Sequence, residues 1–264
     1  YMAYEKDEAR EEAATAWRDW IAAKGQTAEL KLPIGDSNVL LGRTLVAMYS
    51  QNRVVEYDSN RKKIWEKTGI NQPWGAEGLS NGNRLICSYN GKYVVELDEK
   101  GNEVWRINNL PGNCSHAHRL DNGNTLVVSS NANMVWEYSP EKKIVWQKQV
   151  VGNPQDARRL ENGNTLVALQ SGNKVVEIDP DGKEVWVLPN MNGAFAARLL
   201  DNDNTLVAQS RTGQVVEVTP DKKTVWTHSG LSSPYDAQRL DNGNTLITDT
   251  RGFREVEPGG KIVW

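Results

Sequence analysis

Polar residues recur at two phased positions where the surrounding pattern calls for apolar ones. Two places before a recurring apolar residue stand Ser37, Glu77, His118, Arg158, Arg198 and Gln238; four places before it stand Gly35, Gly75, His116, Asp156, Ala196 and Asp236. Two histidines and two arginines in one set could act as general acid and oxyanion clamp in a group transfer. The same guanidiniums could hold an anionic ligand with no chemistry at all. Trp74, Asn192 and Tyr235, in the segments leading into these positions, add the aromatic and polar surface that a concave site needs. The candidate ligand-binding residues are Trp74, Glu77, His116, His118, Asp156, Arg158, Arg198, Tyr235, Asp236 and Gln238. No catalytic residue and no metal ligand is assigned.

These positions are phased by a heptapeptide, Leu160-Glu161-Asn162-Gly163-Asn164-Thr165-Leu166, with close copies at 120–126, 200–206 and 240–246 and weaker ones at 79–85 and 39–45. The fourth residues, Gly42, Gly82, Gly123, Gly163, Asp203 and Gly243, follow one another at steps of 40 or 41. An Asn-Gly pair before a Thr-Leu-Val strand start predicts a hairpin with a two-residue type I′ turn, both central residues at positive φ. A tryptophan closes every repeat: Trp65, Trp105, Trp146, Trp186, Trp226 and Trp264. Between the markers, the fourth copy reads as four short strands near 157–160, 165–170, 174–178 and 183–187. Four antiparallel strands in roughly 40 residues make one propeller blade.

Six copies therefore predict an all-β fold, a six-bladed β-propeller of four-stranded antiparallel blades. A lone blade cannot cover both its faces, so each must pack between two neighbours. Ala76, Ala117, Ala157, Ala197 and Ala237 recur on the first strand, where blades converge and a small side chain fits. The closing tryptophans fall on the outermost strand, where blades diverge and a wedge must be filled. The polar positions then lie on the innermost strand and face a central channel. Two readings stay open for them: a ring of ion pairs that solvates the channel and fixes blade order, or a ligand site at the channel mouth.

Residues 4–24 differ in kind, being rich in Ala, Glu and Arg without Gly or Pro, and Gly25 stands in a C-cap position. They predict one N-terminal α-helix, with Ala13, Trp17, Trp20 and Ile21 forming an apolar stripe that packs on the following domain. The expected domains are the helix, 1–27, and the propeller, 28–264. Residues 29–32 are expected to form an additional strand that pairs with or covers the last blade.

With 38% apolar and 25% charged residues and a net charge of −3, the chain reads as globular. It has neither the basic footprint of a nucleic-acid binder nor a polybasic membrane patch. Nucleic acid and membrane are therefore not expected as partners; a protein or a small polar or anionic ligand is. The two cysteines fit no metal spacing, and there is no phosphate-binding Gly loop, HExxH or nucleophile elbow. Asp179-Pro180-Asp181-Gly182 reads as a turn, because its counterpart Ser139-Pro140-Glu141-Lys142 loses the carboxylate pattern. The compartment stays open.

The phased markers, Leu-Asp-Asn-Gly-Asn-Thr-Leu followed by Val-Val-Glu-Ile-Asp-x-x-Gly-Lys-x-Val-Trp, resemble the quinoprotein-like and arylsulfotransferase-like β-propeller repeats of bacterial proteins over residues 29–264. The segment Ala13-Ala14-Thr15-Ala16-Trp17-Arg18-Asp19-Trp20 resembles the end of a HEAT-type helical array. The arylsulfotransferase likeness implies channel-mouth histidines and an arginine that move a sulfuryl group between phenols, with His116 or His118 and Arg158 or Arg198 at the matching positions. Here, however, the two histidines sit in one blade and His228 lies outside a first strand. Quinoprotein dehydrogenases carry more blades, a calcium site and adjacent cysteines, so no cofactor is expected. Close similarity between copies points to recent duplication and a generic scaffold. The expected function is a non-enzymatic recognition or scaffold propeller, with an arylsulfotransferase-like group-transfer enzyme as the alternative.

Overall fold

The computed structural model describes residues 42–264 together with Thr15, Arg18 and Asp19, which are helical. The rest of the expected helix and the expected strand at 29–32 lie outside the described residues. The unit Gly42–Trp264 is built of antiparallel strands, with one 3-10 turn at Tyr49–Gln51, grouped into six sheets in chain order, and is a six-bladed propeller. Blade 4 shows the pattern: Pro154–Arg159 innermost, then Thr165–Leu169, Lys174–Ile178 and, outermost, Glu184–Leu188. The second strand is buried at every position, and Val175 and Val176 of the third are both inaccessible. A strand with a neighbouring sheet on each face has no polar side, so its sequence runs apolar without alternating.

The heptapeptide hairpin differs from a type I′ turn. Gly163 has φ 84°, but the asparagine before it is not in the left-handed region. Leu160 N–H donates to Asn164 O at 2.8 Å and Gly163 N–H to Leu160 O at 2.9 Å. This is a three-residue loop with one left-handed residue and a bulge. The asparagine side chain decides it: Asn162 Oδ1 accepts the Asn164 N–H at 2.9 Å, and only the next residue needs positive φ. In the fifth copy Asp203 takes that conformation, at φ 63°. Asp179-Pro180-Asp181-Gly182 is likewise a hairpin turn, Gly182 N–H donating to Asp179 O at 2.9 Å.

Two blades have three strands among the described residues. In the first, Thr44–Met48, Arg53–Tyr57 and Lys63–Thr68 are paired, and the segment expected to give a fourth strand lies outside the described residues. In the sixth, the expected fourth strand at 261–264 reduces to one bridge, Val256 to Ile262, with Glu255 N–H bonded to Trp264 O at 2.8 Å. Blades 1 and 6 meet through Tyr57 on Phe253, with centroids 5.9 Å apart, and through Arg61, which lies 5.5 Å over the Trp264 ring and donates to Val263 O at 2.8 Å.

Ala117, Ala157, Ala197 and Ala237 are at most 5% exposed, facing Val127, Val167, Val207 and Ile247 across the first hairpin. At the outer rim the closing tryptophans are half-buried, each between two blades. Trp146 is representative. Arg159 of blade 4 stacks 4.5 Å above its ring and donates to Glu137 Oε2 of blade 3 at 2.7 Å and to Gly163 O at 3.0 Å. Asn124 holds the other oxygen of Glu137 at 2.6 Å, and Trp146 Nε1 donates to Pro180 O of blade 4 at 2.8 Å. The same clamp joins Arg119 to Trp105 and Glu96, and Arg239 to Trp226 and Glu217. In blade 2, Gly78 stands at the arginine position and its cross-strand partner Arg84 supplies the guanidinium instead, onto Trp65 and Glu56.

Removing one partner of an enclosed ion pair strands the other. Arg159→Ala is accordingly expected to cost about 2–3 kcal/mol and Trp146→Ala about 3 kcal/mol or more. Trp186→Ala, at a junction with Leu199 in place of arginine, should cost less than Trp146→Ala. Chemical denaturation of the three variants measures this, and equal losses at the two tryptophans would show that the stacked cation adds nothing.

Candidate functional site

Each complete inner strand opens on a bulge that aims its first residues at the axis. The pairing register slips between Pro73 and Gly75, Cys114 and His116, Pro154 and Asp156, and Ala194 and Ala196, leaving Trp74, Ser115, Gln155 and Phe195 as the extra residues. A bulge bends its strand and redirects side chains. In blade 6 the equivalent residue is Tyr235, whose N–H bonds Thr248 O at 2.8 Å.

Aromatic residues from blades on opposite sides of the ring meet at this level. Trp74 lies 5.9 Å from both Phe195 and Tyr235, and those two are 4.8 Å apart. Tyr49 of blade 1 meets Trp74 edge-on at 5.0 Å, and Tyr89 lies 5.0 Å from it. Such tilted and edge contacts are the favoured ring geometries. Trp74, Tyr49, Tyr89 and Tyr235 are half-buried, so the cluster keeps an accessible side. On the remaining arc Ser115 and Gln155 take the same position, and Gln155 donates to Asn153 Oδ1 at 2.7 Å while its own buried Oε1 has no partner among the described residues.

The polar residues form a connected chain along the inner strands. His118 Nδ1 lies 2.7 Å from Glu77 Oε1 and 2.9 Å from Arg158 Nη1. One ring nitrogen can donate to the carboxylate or accept from the guanidinium, but not both at once. Asp156 Oδ1 is 3.4 Å from both His116 Nε2 and Arg158 Nε, and Asp156 Oδ2 accepts the Ala197 N–H at 3.3 Å. Arg198 is forked onto both oxygens of Asp236 at 3.0 and 2.9 Å and donates through Nε to Ala237 O. The side chains of His116 and Arg158 keep only 15% and 14% of their surface, as expected for groups enclosed by protein that touch a narrow lumen.

Burial pushes the His116 pKa down to about 4, against the attraction of Asp156. Burial alone would raise Asp156, but the fields of His116, Arg158 and Arg198 hold it at about 2. Since His116 is uncharged at neutral pH, the two arginines keep Asp156 ionised there. Burial is the largest single influence on Glu77 and opposes its ionisation, but the hydrogen bond and charge of His118, the charge of Arg158 and the Arg119 N–H together lower the pKa.

The structure thus brings Glu77, His116, His118, Asp156 and Arg158 into one network and joins Arg198 to Asp236 beside it. Gln238 is exposed and takes part in neither. Trp74 and Tyr235 belong to the aromatic cluster, whereas Asn192 is exposed and its backbone N–H is bonded to Gln209 Oε1 at 3.0 Å. One expectation changes, since the ring is enclosed more than solvated; its arginines lie beside carboxylates, Arg158 by Asp156 and Arg198 by Asp236, which is the pairing that the ion-pair reading describes. Sequence reasoning missed Phe195, Tyr49 and Tyr89. Phe195 lay in phase with Trp74 and Tyr235, and that signal could have found it.

The family model described as outer membrane protein assembly factor BamB matches residues 50–264. No curated protein matches the chain. Among solved structures, a protein of unknown function from Bacteroides caccae is similar at 19% identity with a TM-score of 0.73, covering 84% of this chain and 92% of its own. The catalytically inactive virginiamycin B lyase of Staphylococcus aureus with quinupristin is similar at 11% identity and TM-score 0.65, covering 84% and 80%. The WD40 β-propeller domain of Doa1 is similar at 11% identity and TM-score 0.65, covering 81% and 74%. These likenesses show the propeller fold.

A histidine held neutral in the fold is protonated more readily once unfolded. Stability should therefore fall as pH drops from about 6.5 towards about 4, by up to roughly 3 kcal/mol from His116. Asp156, depressed when folded, adds its loss only below the ordinary aspartate range. His116→Gln should flatten the upper window. Denaturation of both proteins at neutral and mildly acidic pH checks this, and parallel losses would place the acid sensitivity elsewhere.

Proposed function

We propose that this chain, which belongs to the PQQ-like repeat family described as outer membrane protein assembly factor BamB, is a non-enzymatic recognition propeller that takes a protein segment or small polar ligand at its channel mouth. The observation that carries this reading is the cluster of Trp74, Phe195, Tyr235, Tyr49 and Tyr89, gathered from four blades at one end of the channel. The other blades supply Ser115 and Gln155 there; the Ser115 hydroxyl is buried and bonded to Val128 O and Pro154 O, so the polar capacity beside the apolar arc rests on the Gln155 amide. That is the composition of a binding site. The family's description as an assembly factor fits a partner-binding role.

Group transfer finds less support. His118 is engaged by Glu77 and Arg158, and Arg198 is forked onto Asp236, so an anionic group would have to displace a carboxylate. The arylsulfotransferase-like alternative rests on His116, whose buried Nε2 has no hydrogen-bond partner among the described residues. The lyase among the similar structures shows that a propeller can hold a catalytic site, and at 11% identity it passes on no chemistry.

Amide and indole chemical shifts during titration with short peptides and with phenyl sulfate test the proposal. Perturbations should centre on Trp74 and Tyr235 and vanish in Trp74→Ala, with no release of phenol when a second phenol is offered as acceptor. Phenol release that disappears with His116→Ala would overturn the recognition reading in favour of the enzyme.

A further inference from the structure

The junction between blades 4 and 5 keeps the closing tryptophan, the third-strand glutamate and its asparagines but lacks the cation, and among the described residues Trp186 Nε1 has no counterpart of the bond from Trp146 to Pro180 O. At three other junctions a guanidinium from the next blade lies over the closing tryptophan, binds Oε2 of the third-strand glutamate and donates to the hairpin carbonyl. The bonds from Arg119 to Glu96 and Gly123 O, from Arg159 to Glu137 and Gly163 O, and from Arg239 to Glu217 and Gly243 O are 2.6–3.1 Å long. At the fourth, Leu199 occupies the arginine position opposite Thr205, and neither can donate as a cation. Leu199 is 45% exposed.

The acceptors remain in place. Glu177 Oε1 is held by Asn162 and Asn164 at 3.1 and 2.6 Å, just as the matching glutamates are held by their asparagines, while Oε2 has no partner among the described residues. Glu177 is half-buried, whereas Glu96, Glu137 and Glu217 are 7–9% exposed beneath their arginines. The hairpin carbonyl here belongs to Asp203, and the ring to Trp186. Asp201, Asp203 and Glu161, all exposed, give the surroundings a negative charge that favours a basic segment.

We propose that Trp186, Glu177 Oε2 and Asp203 O form a binding site for one arginine side chain presented by a partner protein. The geometry it must meet is set by three filled copies in the same molecule. A planar guanidinium can stack on the indole and send separate N–H groups to carboxylate and carbonyl; a lysine ammonium cannot do all three. This site lies at the outer rim and is independent of the channel mouth.

The test is a chemical-shift titration of the full chain with a blocked Gly-Arg-Gly peptide and its Gly-Lys-Gly counterpart at millimolar concentration. The arginine peptide should shift the Trp186 indole and bind at least ~5-fold more tightly than the lysine peptide. Glu177→Gln should weaken it ~10-fold or more. Leu199→Arg should fill the site from within, abolishing peptide binding and raising Tm by about 4 °C. No shift at Trp186, equal binding of both peptides, or binding that survives in Leu199→Arg would overturn the proposal.

Discussion

The wedge between diverging sheets is the constraint on which the rest of the structure depends. Sheets that radiate from one axis pack closely at the centre, where alanine suffices, and part at the rim. There an indole must fill the gap, and a buried tryptophan can withdraw roughly 150–250 Å² from water. The indole then shields one face of an arginine, which strengthens that arginine's pairing with a glutamate on the neighbouring blade. Because the same guanidinium also holds its own hairpin carbonyl, each clamp fixes the blade-to-blade angle and the end of an inner strand together. The positions of the channel residues follow from those strands.

Much of this was legible in the sequence. The period, the blade count, the alanine column and the tryptophan column are local and repeat in one dimension, so they survive the loss of all spatial information. The hairpin type was misread because a side chain, Asn162 Oδ1, settles a backbone choice that the Asn-Gly pair leaves open. The clamp itself escaped notice because its arginine column is interrupted twice: at Gly78, where the cation crosses to Arg84, and at Leu199, where it is missing.

The channel was legible in its residues but not in its electrostatics. Which carboxylate holds which arginine depends on neighbours from other blades: Arg158 reaches Asp156 on its own strand, while Arg198 reaches Asp236 on the next. Periodicity says nothing about that choice. Once made, it turns a set of free charges into a largely self-matched network.

If the clamps set the stiffness of the ring, the junction without one should open most easily. Amide hydrogen exchange under native conditions measures this blade by blade. The account predicts that Glu184–Leu188 and Ala194–Leu199 exchange faster than the equivalent strands Ile144–Gln149 and Pro154–Arg159, which flank the clamp of Arg159, Trp146 and Glu137. Equal protection across the two junctions would contradict it.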